Sequence, residues 1–162
     1  MLRYAPLALI LLIAGCSPYI NIPAQPGDAA THSPNDNTAV AVMEAALAHV
    51  LHQRSEPGGY VIALPARASR ATYADVLHQL PEGGGRHDKG AVGVPVYSIA
   101  AVYVRGPDAQ VDIIRPTPAG NPQLISVFLE LGVDGWHVVR DRPWSVPVAE
   151  AVNLSYPGRD IQ

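Results

Sequence analysis

The chain has 162 residues, the length of one ordinary domain; 48% are hydrophobic and only 15% charged, against about 25% charged in average soluble chains. Its formal net charge of -3 supplies no basic field for holding a phosphate backbone, so no nucleic-acid partner is expected. A single cysteine excludes an intrachain disulfide and a cysteine-rich metal site, while 14 glycines and 16 prolines imply many turns around a packed centre.

The first 16 residues, MLRYAPLALILLIAGC, have the layout of a secretory signal. Arg3 precedes an apolar run over 7–14, and small residues follow. The run falls short of the roughly 20 apolar residues needed to cross a bilayer. Its end, Ile13-Ala14-Gly15-Cys16, resembles the lipobox of bacterial lipoproteins, in which an apolar residue and two small residues precede a cysteine.

That resemblance implies a signal peptide over 1–15 and cleavage between Gly15 and Cys16. The Cys16 thiol would take a diacylglyceryl group, making Cys16 the lipidation site and membrane lipid a partner. Several acyl chains on one residue give durable anchoring, where a single chain binds only marginally. Ser17 follows the cysteine in place of the Asp associated with inner-membrane retention. The implied location is the outer membrane of the cell envelope, facing the periplasm.

Residues 16–37, rich in Pro, Asn, Asp and Ser, read as a flexible tether. Over 38–53, Val40, Met43, Leu47, Val50 and Leu51 keep to one face of a 3.6-residue period and predict a helix. Asn35, Asp36, Asn37 and Thr38 are its N-cap candidates. A short apolar run over 60–64 predicts a strand. Residues 71–80 predict a second helix, with Ser69 as cap and Pro81 as stop.

The glycine-rich stretch 82–93 reads as a mobile loop. Strands are then expected over 94–105, 110–115, 123–131 and 136–142, joined by Gly-, Pro- and Asp-rich turns. In the third, Ile125, Val127, Leu129 and Leu131 share the expected core face. Residues 145–162 read as a loosely packed tail. The expected fold class is α+β over 38–144: one or two helices on a curved antiparallel sheet of about four to five strands. The element order, ending in Gly135-Trp136-His137-Val138-Val139, resembles the NTF2-like and cystatin-like folds.

Three groups of residues could carry chemistry. His49 and His52 on the first helix, with Asp75 and His78 on the second, would make a zinc ligand set if the helices faced each other there. The bland alternative is a pair of solvated helix ends, where positive charge is favoured. Gly83-Gly84-Gly85 with Arg86, His87, Asp88 and Lys89 lacks the spacing of a phosphate loop. Asp112, Asp141, Tyr97, Tyr103 and His137 could serve an acid–base pocket of the kind the resembled folds contain. The two aspartates alternate with apolar residues, which predicts solvent-side charges instead.

The expectation is therefore an envelope lipoprotein with a small binding or structural domain and an envelope protein as partner. No catalytic residue, cofactor or metal ligand is assigned. The alternative is an NTF2-like pocket protein binding or transforming a small apolar molecule. A large apolar cavity under the sheet with a buried carboxylate would favour the pocket, and a filled core the binding domain.

Overall fold

The computed structural model describes residues 19–23, 33–53, 58–87 and 93–154. The signal segment, the lipobox with Cys16 and residues 155–162 lie outside them. In chain order the elements are β1 (Tyr19–Ile22), α1 (Asn37–His52), β2 (Tyr60–Ala63), α2 (Arg70–Gln79), β3 (Gly84–Arg86), β4 (Val96–Arg105), β5 (Asp108–Arg115), β6 (Gln123–Gly132), β7 (Gly135–Pro143) and α3 (Val148–Leu154). The fold is α+β, with helices packed on one curved, mixed sheet of seven strands in the order β3-β2-β4-β5-β6-β7, and β1 paired with β4. The strand count exceeds the expected four to five. Among the described residues no helix is long and apolar enough to cross a membrane.

Both long helices start where their side chains cap them. Asp36 accepts from the Thr38 amide at 2.9 Å and Ser69 from the Thr72 amide at 3.0 Å, which satisfies amides that the first turn leaves without helical partners. The apolar stripe of α1 buries Val42, Met43, Ala46, Leu47 and Val50, all at most 1% exposed. They meet Ile99, Val102, Val111, Ile113, Ile125, Val127 and Leu129 on one sheet face. The side chains of α1 and of this sheet face belong to one apolar core cluster. Leu131, expected in that cluster, lies outside it and is 48% exposed.

The β4 strand holds the topology together. One edge pairs with β5 along its length, with a bulge between Ile99 and Ala101. The extra residue restores the phase, so Ile99 and Val102 face the core together. The other edge is shared: β2 runs parallel along Val96–Ser98, and β1 runs antiparallel along Val102–Arg105. β1 thus closes an edge that β2 leaves open, which removes unpaired amides and carbonyls from solvent.

Three stretches differ from their expected state. Tyr19–Ile22 lies within the expected tether, yet Ile20 and Ile22 are 2% and 5% exposed and belong to the core. Within the expected loop 82–93, Gly84–Arg86 pairs parallel with β2. Gly84 sits over the Tyr60 ring, where a Cβ would come within 2.6 Å of the hydroxyl oxygen, so only glycine lets this strand approach. In the expected tail, α3 packs on β6 and buries Ala151 completely.

Candidate functional site

Asn35 organises the junction between α1 and α2. Its Oδ1 accepts from the Ser69 amide at 2.7 Å and from the Thr72 hydroxyl at 2.6 Å, and its Nδ2 donates to the Arg67 carbonyl at 3.1 Å. One side chain just ahead of α1 therefore clasps the first turn of α2. Beside this clasp the helices leave an open groove of about 320 Å³ lined by Asn35, Asn37, Val40, Glu44, Thr72 and Asp75, among others.

Glu44 is the groove's distinctive group. Burial raises its carboxyl pKa above the ordinary 4.5, Asp75 raises it further by like-charge repulsion, and His78 opposes the rise. A cation beside Glu44 would offset the repulsion from Asp75 and favour the charged form. The groove's two lining hydroxyls, Ser69 and Thr72, lie 2.9 Å apart, and that of Thr72 donates to Asn35.

The four residues weighed as zinc ligands do not gather. His49 Nε2 lies 2.8 Å from Asp141 Oδ2, which also accepts from Gln53 Nε2 at 2.7 Å. His52 Nδ1 bonds the Ala48 carbonyl within α1, and His78 and Asp75 belong with Glu44 beside the groove. Among the described residues there is no group of three or more His, Cys, Asp or Glu able to hold a metal ion.

The acid–base candidates are likewise dispersed. Asp112, expected at a solvent-exposed position, is fully buried on the sheet face away from α1. Its Oδ1 accepts from the Ser126 hydroxyl at 2.6 Å and Gln110 Nε2 at 2.9 Å, and Ser126 Oγ accepts from Trp144 Nε1 at 3.0 Å. Alternation places Asp112 opposite the core correctly, but Trp144 then covers that face. Tyr103 shares this face, pairing with Gln110 across the strands. Tyr97 lies on the core face, edge-on to Tyr60 at 6.2 Å.

His137 stands at the β6–β7 turn, its Nε2 2.7 Å from Asp134 Oδ1. That contact holds the Asp134 carboxyl below its usual range. Asp141 is held low as well, first by Gln53 and then by His49. Arg86 and His87 border α2 and β2: the Arg86 guanidinium stacks on Tyr73 at 4.6 Å, and the His87 amide donates to the Ile62 carbonyl at 2.8 Å. Asp88 and Lys89 lie outside the described residues.

Asn35 and Glu44 were the residues that sequence patterning undervalued. Asn35 appears there only as a cap candidate. Glu44 is the one acidic residue of α1, and a lone carboxylate in an alanine-rich helix is the signal that could have found it. No protein-family model, curated protein or solved structure matches this chain.

Proposed function

We propose that this chain is a lipid-anchored envelope protein whose small domain works by binding a protein partner rather than by catalysis. The anchor reading rests on the Ile13-Ala14-Gly15-Cys16 pattern closing a secretory-type signal. The single observation that carries the binding reading is Glu44. It is a partly desolvated carboxylate beside a second one, in a polar groove open to solvent. A lysine or arginine of a partner would bond it and offset the repulsion from Asp75. The alternative is a pocket protein that takes a small apolar molecule between helix and sheet, where Val42, Met43, Leu47 and Val50 are buried in the apolar core.

The anchor is tested by metabolic labelling with a fatty-acid probe. The wild-type chain is expected to label, while Cys16→Ser accumulates as unlabelled precursor; equal labelling of both refutes the anchor. Binding is tested by placing a photo-crosslinker at Ala71 on the groove wall, and at Ala119 in the exposed turn between β5 and β6. A partner cross-linked in stoichiometric amount from 71 and not from 119, and lost in Glu44→Lys, supports the groove. Equal capture from both positions refutes it.

A further inference from the structure

The anchor site and the sheet are joined by very little chain. Cys16 stands three residues before Tyr19, the first residue of β1, and three residues span at most about 11 Å. Tyr19 pairs with Arg105 at the end of β4. The β4–β5 turn follows directly, and the amide of Leu131 donates to the Pro107 carbonyl at 2.8 Å, tying the end of β6 to that turn. The start of β1 and the β4–β5 and β6–β7 turns therefore form one end of the sheet.

Among the described residues four large apolar side chains are exposed, and three of them, Tyr19, Leu131 and Val133, belong to this end. Val133 is wholly exposed, at 109%. It occupies a two-residue hairpin turn between Gly132 and Gly135. Its backbone has an ordinary φ, the positive φ of the turn being taken by Gly135, so residue 133 is free of backbone demands and nothing in the fold calls for an apolar side chain there.

We infer that this end of the sheet rests on the lipid surface, with Leu131 and Val133 in the headgroup layer. The inference relies on the lipidation of Cys16 proposed above. The charges define the kind of contact. Asp108, Glu130 and Asp134 outnumber Arg105 among the charged residues of the end strands and turns. Attraction to anionic lipid is thereby excluded as the driving force. The contact is apolar and shallow, with the carboxylates remaining in water, and it suits zwitterionic headgroups. A domain held this way has a fixed orientation on the membrane, with the β5–β6 turn pointing away from it.

The test uses the full lipidated chain in phosphatidylcholine vesicles. Acylation blocks Cys16, so Val133→Cys and Ala119→Cys each offer one thiol for a polarity-sensitive fluorophore. The label at 133 is expected to emit as from an apolar environment and to resist iodide quenching several-fold better than the label at 119, with no change at high salt. Equal quenching at both positions, in chains whose mass shows acylated Cys16, overturns the docking and leaves the anchor intact. Chains without acyl mass overturn the anchor and the docking with it. Shielding at 133 that appears only when other envelope proteins are added makes this end a protein interface and overturns the inference.

Discussion

The Ser126 hydroxyl donates to Asp112 Oδ1 over 2.6 Å between paired residues of β6 and β5, with both side chains fully buried. A buried carboxylate is costly unless its lone pairs are satisfied, and here Gln110 supplies a second bond while Trp144 Nε1 engages the same hydroxyl. Removing the hydroxyl takes one donor from the buried Asp112 and the acceptor from the half-buried Trp144 Nε1. Ser126→Ala is expected to destabilise the domain by about 1–3 kcal/mol in urea unfolding. A loss below about 0.5 kcal/mol would mean that water already serves this cluster.

The second prediction concerns β1. Ile20 pairs opposite Val104 and is 2% exposed in the core. Truncation to alanine removes buried apolar contact and leaves a cavity, at a cost of about 2–5 kcal/mol. Ile20→Ala is therefore expected to lower the unfolding midpoint as far as a core change in α1 such as Val50→Ala. An unchanged midpoint would return β1 to the status of a tether.

These cases also mark what the sequence could reveal. Both main helices are legible to within a residue or so, because a 3.6-residue apolar period and capping side chains are local properties. The four long strands are legible from β-branched runs between Gly and Pro turns. β1 is not, since Tyr-Ile-Asn-Ile offers a single alternation between proline-rich flanks. β3 is Gly-Gly-Arg and is a strand only because β2 lies beside it. Asp112 shows the same limit at the level of a site: alternation gives the face, and only tertiary structure shows what covers it. The groove depends on how two helices meet, which neither helix encodes alone.

Glu44 gives a pH-dependent prediction. Its folded pKa is raised above the ordinary 4.5, so the protonated form fits the fold better than the charged one. Stability linked to this group is fully present below pH 4.5 and is lost as pH rises through the folded value. Glu44→Gln is expected to stabilise the domain at neutral pH, by no more than about 0.5 kcal/mol given its solvent contact. The gain should vanish in acid. Thermal melts of both proteins across the acid range measure this, and a variant less stable at pH 7 would contradict it.

Asp141 has the opposite sign. Hydrogen bonds from Gln53 and His49 hold its pKa below the ordinary 3.8, so its contribution is present above that value and is lost as pH falls through the lower folded one. Both side chains of the His49 pair are partly exposed, which keeps the effect small. Asp141→Asn is expected to cost less than about 1 kcal/mol at neutral pH and to match the wild type in strong acid. A difference that grows on acidification would contradict the assignment.

The proposed anchor is tested most directly by the intact mass of the chain extracted from membranes with detergent. A chain beginning at Cys16 and carrying a diacylglyceryl group is expected, with Cys16→Ser retaining the mass of the full precursor. A wild-type chain found without lipid, or cleaved at another residue, would contradict the anchored reading.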